Sequence, residues 1–112
     1  MQKLASLDAW TKSRELSRTA YRLTLEGKLS KHFGLADQIR RAAAAVPANI
    51  AEGYALATTP QFIRCLRIAL GSATELSTHL ELAVEMELVA AAPAGKAISL
   101  CNRVIALLIG LL

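Results

Sequence analysis

Apolar residues recur along most of the chain at alternating steps of four and three, the spacing that keeps side chains on one face of an α-helix. The pattern is clearest between Gly34 and Tyr54, and its members are Leu35, Ile39, Ala42, Val46, Asn49 and Gly53. The alternation of apolar and polar residues that is typical of a half-buried strand does not occur. The pattern predicts an all-α protein.

Capping residues divide these stripes into four predicted helices. The first begins with Asp8 as N-cap and ends near Glu26, before Gly27. The second extends from Gly34 to about Ala57. The third begins at Thr58 or Thr59 and ends in a break between 88 and 93, and the fourth begins at Pro93. With 112 residues, the chain is expected to form a single helical domain over 1–112.

Two residues inside these helices predict local features. Pro47 removes a backbone N–H and crowds the carbonyl four residues earlier, so a bend is expected near 43–46 in helix two. Gly71 lies in the middle of helix three, where glycine costs about 1 kcal/mol relative to alanine. We therefore expect the backbone of helix two to approach closely at Gly71.

A pair of charges is predicted between helices two and three. Glu75 lies beside the core stripe of helix three, and a buried carboxylate without a partner would be costly. Arg40 or Arg41 of helix two is expected at the same level and is predicted to pair with Glu75 or with Glu52. Glu75 and His79 are also four residues apart, but a metal would need at least one further ligand. No metal and no other cofactor is predicted.

Charge is unevenly distributed along the sequence. The net charge is +4, with 11 Lys/Arg against 5 Asp/Glu in residues 1–67 and 2 against 4 in residues 68–112. Hydrophobic residues make up 54% and aromatic residues only 4%, which favours an aliphatic, alanine-rich core between closely packed helices. The basic N-terminal half raises the expectation of a partner that carries phosphate.

A row of arginines is the candidate binding surface. Arg14, Arg18 and Arg22 follow one another at steps of four on the first helix, and Lys28 and Lys31 extend the basic patch into the following loop. One interpretation is a solvated face. The other is a row of phosphate-directed donors, since arginine stays charged and binds phosphate oxygens bidentately.

The sequence predicts neither a secretory leader nor a membrane-spanning segment. The start MQKLASLDAW has no apolar core of a secretory leader, and the run VIALLIGLL, at nine residues, is too short to span a bilayer. A cytoplasmic protein with no membrane contact is expected. Cys65 and Cys101 are predicted to be separate, buried and hydrophobic in character.

Helices three and four carry apolar residues on more than one side. Ile63, Leu70 and Val84 form a second stripe on helix three, and helix four is apolar on several faces. Because a monomer would expose a large apolar patch, contact with another subunit is predicted.

The segment FGLADQIRRAAAAVPANIAEGY, followed by QFIRCLRIALGSATEL, resembles the family named for proteins encoded in the intervening sequences of bacterial 23S ribosomal RNA genes. The resemblance implies an antiparallel up-and-down four-helix bundle without catalytic activity that assembles as a ring, typically a homopentamer. It also implies a structural polar core, made of Arg40, Arg41, Asn49, Glu52 and Glu75. A related fold, the accessory protein of diversity-generating retroelements, is a basic ring that binds a reverse transcriptase and nucleic acid.

Three classes of function follow from these observations. A module that binds structured RNA or DNA through Arg14, Arg18, Arg22, Lys28 and Lys31 is favoured by the charge and by the resemblance. The alternative is a protein-interaction scaffold or an accessory subunit of a reverse transcriptase. An enzyme is not expected, because the sequence has no nucleophile with a base, no glycine-rich phosphate loop and no metal cluster.

Overall fold

The computed structural model describes Leu4 and residues 7–112, and this part of the chain forms four α-helices and no β-strand. The helices are α1 (Asp8–Leu23), α2 (Phe33–Leu56), α3 (Thr59–Glu85) and α4 (Ala91–Leu111). A short 3₁₀ helix, Leu29–Lys31, lies between α1 and α2. The predicted all-α fold with four helices is confirmed.

The four helices form one bundle around a shared core. α2 packs on α1 and on α3, and α4 packs on α3 and on α1. The molecule measures 44 × 22 × 18 Å, and a helix of 27 residues such as α3 spans about 40 Å at about 1.5 Å per residue. Leu16, Ile39, Leu76 and Val104, one from each helix, are fully buried in the same cluster.

The core stripes follow the predicted spacing closely on α3 and less closely on α2. On α3, six buried residues follow one another at steps of 3, 4, 3, 4 and 3: Leu66, Ala69, Ala73, Leu76, Leu80 and Ala83. On α2, Ile50 is buried where the spacing favoured Asn49, which is only half-buried. The stripe of α2 is therefore rotated toward Ile50, because an aliphatic side chain gains more from burial than an amide does.

Helix ends depend on backbone and side-chain contacts that differ from those predicted. Asp8 is the first residue of α1 and not its cap, since Leu7 occupies the N-cap position without a side-chain hydrogen bond. α1 ends at Leu23, earlier than predicted, because the Thr24 hydroxyl and amide both donate to the Tyr21 carbonyl. α3 ends in a Schellman motif, in which Glu87 has a positive φ and Leu88 donates to the Ala83 carbonyl.

The close approach of α2 and α3 lies at Gly53 and not at Gly71. A Cβ added to Gly53 would lie 2.7 Å from the Cys65 Cβ and 3.1 Å from a ring carbon of Phe62. A Cβ added to Gly71 would meet nothing within 4 Å. The prediction for Gly71 is wrong within the single chain, because this residue lies on the exposed side of α3.

Pro47 lies inside α2, which continues through it as one helix. The residue whose carbonyl loses its helical donor is Ala43, four positions earlier. The Ser17 hydroxyl of α1 donates a hydrogen bond to this carbonyl. A side chain of the neighbouring helix thus replaces the missing N–H, while the bend expected at Pro47 stays a prediction.

The second apolar stripes of α3 and α4 are largely used inside the bundle. Ile98, Leu100, Ile105 and Leu107, on the two flanks of α4, are half-buried and pack against the core. Each of these helices has two neighbours, so two apolar flanks are needed within one chain. The large apolar residues that remain exposed on α3 and α4 are Ile68, Leu82, Ile109 and Leu111, and Leu112, directly after α4, is exposed as well.

By length and composition alone, α4 would suffice to cross a membrane, and 28% of its most apolar window is buried in the bundle. The sequence-based expectation that no segment is long enough is wrong by this criterion. Helices in the cores of soluble proteins meet the same criterion, so it is weak evidence for a membrane span.

Candidate nucleic-acid interface

The arginine row lies on the outward side of α1. The buried residues of this helix are Ala9, Ser13, Leu16 and Ala20, and the row falls on the opposite side because residues four apart keep the same face. Arg14, Arg18 and Arg22 are all exposed. α1 holds Lys12 and the three arginines against Asp8 and Glu15, so its net charge is 4 − 2 = +2.

Carboxylates do not neutralise this row within the described part of the chain. The ion pairs found there are Lys12 with Glu15, Arg41 with Asp37, and His79 with Glu75. None of them includes Arg14, Arg18 or Arg22. Three guanidinium groups on consecutive turns are therefore available to an anionic partner.

One arginine of the row is stacked on an aromatic ring. The Arg14 Cζ lies 4.6 Å from the centroid of the Trp10 ring, one helical turn earlier. Such a cation–π contact restricts the guanidinium without neutralising it. The sequence does contain a sign of this contact, because Trp10 and Arg14 are four residues apart on one helix. The periodicity of the apolar residues does not reveal it.

Lys28 and Lys31 are exposed on the connection between α1 and α2, beyond Arg22. This connection is tied to the bundle, since Leu29 is fully buried and its N–H donates to the Leu88 carbonyl at 3.1 Å. Gly27 takes a left-handed φ of 60° at its start. The two lysines therefore extend from an anchored segment and not from an unsupported loop.

A shallow groove runs between α1 and α2 beside the arginine row. Its α1 side consists of Trp10, Arg14, Ser17 and Arg18. Its α2 side is formed by Pro47 and three alanines, at 44, 48 and 51. We call this feature the α1–α2 groove. It combines an apolar wall with two guanidinium groups, and it could not be found from the periodicity of either helix alone.

The predicted polar core is not formed as expected. Arg40 faces α1, where its Nε donates to the Thr24 hydroxyl at 2.7 Å and its Nη2 to the Thr24 carbonyl at 3.3 Å. Its guanidinium also lies over the Tyr21 ring, at 5.0 Å from the centroid. Arg40 thus ties α2 to the end of α1 and does not reach toward α3.

Three of the four remaining members of the predicted polar core bond within their own helices, and the fourth, Glu52, is exposed. Arg41 donates to the Asp37 carboxylate at 2.8 Å, and the Glu75 carboxylate is 3.2 Å from the His79 Nε2. Asn49 donates to the Ala45 carbonyl at 2.8 Å. Among the described residues, neither arginine pairs with Glu75 or Glu52, so this prediction is wrong. Arg41 and Glu75 are exposed and each has a partner one turn away on its own helix.

The chemistry of the buried cysteines is that of small apolar residues. Cys65 and Cys101 are both free and buried. Burial raises the pKa of the Cys101 thiol to about 12, with the Glu81 charge adding to this effect and a backbone hydrogen bond from Ser77 opposing it. The Cys101 thiol donates to the Ala73 carbonyl at 3.0 Å. Among the residues that the structure describes, no group of three or more His, Cys, Asp and Glu side chains is placed to hold a metal.

The fold and the basic face together define a class: a small four-helix bundle whose first helix presents unneutralised cations outward. The family model of the 23S rRNA-intervening sequence protein matches residues 5–110. The chain belongs to this family.

A solved structure supports this assignment. The chain is similar to a protein of unknown function from the S23 ribosomal protein family of Bacteroides thetaiotaomicron VPI-5482, with 27% sequence identity and a TM-score of 0.83. The similarity covers 92% of this chain and 96% of the other. No curated protein matches the sequence.

Proposed function

We propose that this protein is a non-catalytic, oligomeric protein that binds structured RNA or DNA through the outward face of α1. The observation that carries the proposal is the row of Arg14, Arg18 and Arg22, exposed on consecutive turns and without a carboxylate partner in the described chain. Lys28 and Lys31 add two exposed cations on the connection that follows α1.

Binding of this kind is electrostatic. Cations four residues apart on a helix, about 6 Å along its axis, contact phosphates of a backbone and release the counterions condensed there. Such contacts fix the position of a nucleic acid but carry little information about its sequence. The protein is therefore expected to bind with steep salt dependence and weak sequence preference.

Filter binding of wild type and of the variant Arg14→Ala/Arg18→Ala/Arg22→Ala tests the proposal. We expect wild-type affinity for structured RNA or duplex DNA to fall steeply between two salt concentrations. The slope of log affinity against log salt should decrease by about one unit for each phosphate that the variant no longer neutralises. A solvated face would leave binding and stability nearly unchanged on charge removal, since exposed charges contribute little to folding. Absence of salt-dependent binding by wild type would favour the protein scaffold.

We further propose that subunits assemble as a ring of five, as membership of the family implies. Support comes from the outward face of α3, where Ile68 and Leu82 are exposed and Gly71 lies between them. A glycine within a helix costs about 1 kcal/mol, and among residues 4 and 7–112 no neighbour uses the space that Gly71 leaves. A second subunit packed at Gly71 would use it.

The antiparallel arrangement of the helices and the bend at Pro47 belong to the same proposal. Two residues separate α2 from α3, too few for a crossover connection between packed helices, and this supports the antiparallel arrangement.

The bend at Pro47 is supported by the hydrogen bond from Ser17. This bond supplies the donor that the Ala43 carbonyl would lack in a helix bent at Pro47.

A cytoplasmic location without membrane contact is also proposed. Lys96, Asn102 and Arg103 are exposed on α4, so its outward side carries charge and amide groups, while Cys101 and Val104 on its inner side are buried in the bundle. A bilayer would solvate the outward groups poorly.

The second candidate function is a protein-interaction scaffold or an accessory subunit of a reverse transcriptase. The exposed apolar side chains of Ile68, Leu82 and Phe33 favour it, since such residues are common at protein contacts. Binding of a partner protein with no affinity for nucleic acid would support this alternative.

A further inference from the structure

We infer that the α1–α2 groove holds an unpaired nucleotide, with its base against the Arg14–Trp10 stack and its phosphate on Arg18. This inference rests on the proposed function and deepens it, because it names single-stranded segments as the preferred form of the nucleic acid. The occupant follows from the chemistry of the groove, which has a flat cationic face, an apolar wall and a second cation.

The flat face comes from Arg14. The Arg14 Cζ lies 4.6 Å from the centroid of the Trp10 ring, so the guanidinium lies over the ring before any ligand arrives. Unpaired bases stack on aromatic rings and on guanidinium planes, and each such contact is sequence-tolerant because every base has a π face. A peptide side chain offers such a plane only at aromatic or arginine residues.

The apolar wall and the charge of the groove agree with the same occupant. Ala44, Pro47 and Ala48 offer methyl and ring carbons but no polar side chain. The Ser17 hydroxyl already donates its proton to the Ala43 carbonyl, so Arg14 and Arg18 are the side chains of the lining that still have hydrogen-bond donors to offer. No carboxylate lines the groove. A ligand with an apolar face and a nearby anion satisfies all of these groups.

A base-paired duplex does not fit this arrangement. Its bases are stacked and paired in the interior, so a duplex can offer phosphates to the arginine row but no base to the groove. The groove therefore distinguishes unpaired from paired nucleic acid, whereas Arg22, Lys28 and Lys31 contact either.

Trp10 is the only tryptophan of the chain, so its fluorescence reports on the groove. The full chain is titrated with single-stranded oligouridine of about 15 nucleotides, a length that one site can cover, and with an RNA duplex at equal phosphate concentration. We expect saturable quenching by the single strand and little change with the duplex.

Two variants separate stacking from charge. Arg14→Lys keeps the charge but removes the guanidinium plane, so affinity for oligouridine should fall roughly fivefold or more while affinity for the duplex is retained. Ala48→Leu fills the groove without changing the charge of the protein. It should weaken the binding of oligouridine and leave the binding of the duplex unchanged. Ala55→Leu, at an exposed position of α2 that does not line the groove, is the matched control.

Four outcomes would overturn the inference. Equal quenching by duplex and single strand would show that the groove does not select an unpaired base. Nucleic-acid binding in filter assays without any change in Trp10 fluorescence would show that the nucleic acid binds elsewhere. Both results are compatible with the proposed function. Failure to bind any nucleic acid removes the proposed function itself. Quenching by a partner protein alone would assign the groove to a protein.

Discussion

Gly53 and Gly71 both lie within long helices, yet their surroundings differ. Gly53 is buried where α2 meets α3, and the Cys65 Cβ would lie 2.7 Å from a Cβ at this position. Gly71 is exposed on the outward face of α3, with nothing within 4 Å of the same point. Both residues are costly in a helix, but only the cost of Gly53 is offset by packing inside the chain.

Ser17 and Arg18, two neighbouring polar residues of α1, differ in the same way. Ser17 lies on the side of α1 that faces α2, and its hydroxyl donates to the Ala43 carbonyl, which Pro47 leaves without a helical donor. Arg18, the next residue, lies on the outward side and has no ion pair within the described chain. Ser17 and Gly53 thus have partners inside the subunit, whereas Arg18 and Gly71 lie on the outward faces of α1 and α3, where contacts with a nucleic acid and with a second subunit are proposed.

The largest effect on stability is expected from Gly53→Ala. The added methyl group would press on the Cys65 Cβ, an atom fixed by its backbone, so the helices must separate. We expect the free energy of unfolding to fall by about 1–3 kcal/mol in denaturant titration. An unchanged or increased stability would mean that α2 and α3 are not packed closely here.

Ser17→Ala should cost somewhat less. It leaves the Ala43 carbonyl without a donor, and an unsatisfied polar group in a partly buried position costs about 1–2 kcal/mol. The control is the Pro47→Ala background, in which the backbone N–H of residue 47 can bond to this carbonyl. Ser17→Ala should then be nearly neutral, and an equal cost in both backgrounds would contradict the role assigned to Ser17.

Gly71→Ala has the smallest effect on the folded subunit and the opposite sign. Alanine is the better helix former, so the subunit should gain about 0.5–1 kcal/mol if nothing inside the chain contacts the new methyl group. If a second subunit packs at Gly71, the same change weakens assembly, and light scattering should show smaller species than the wild-type ring. Gly95→Ala, at an open position of α4, is the matched control for assembly. A wild type that stays monomeric at micromolar concentration would refute the ring.

Much of the fold could be predicted from the sequence because the steps of four and three specify which face of each helix is buried. Leu66, Ala73 and Leu80 are buried as that spacing requires. Polar contacts were harder to predict, because they depend on which helix lies on which side. The sequence predicts that Arg40 or Arg41 pairs with Glu75 or Glu52, but Arg40 bonds to Thr24 at the end of α1, and the periodicity does not show which neighbouring helix Arg40 faces.

The candidate site was predictable only in part. Arg14, Arg18 and Arg22 are evident from their regular spacing and are exposed in the structure. The groove beside them depends on α1 and α2 together, since Trp10 comes from one helix and Ala48 from the other. No pattern along a single segment contains that relation.

The most direct test of the account compares two double variants of equal charge. Arg18→Ala/Arg22→Ala removes two cations from the outward face of α1, and Arg64→Ala/Arg67→Ala removes two exposed cations from α3. Each lowers the net charge from +4 by two. For a structured RNA, the α1 variant should lower the slope of log affinity against log salt by about two units, and the α3 variant should leave it near the wild-type value. Equal decreases in the two variants would show that overall charge, and not the arginine row of α1, governs binding.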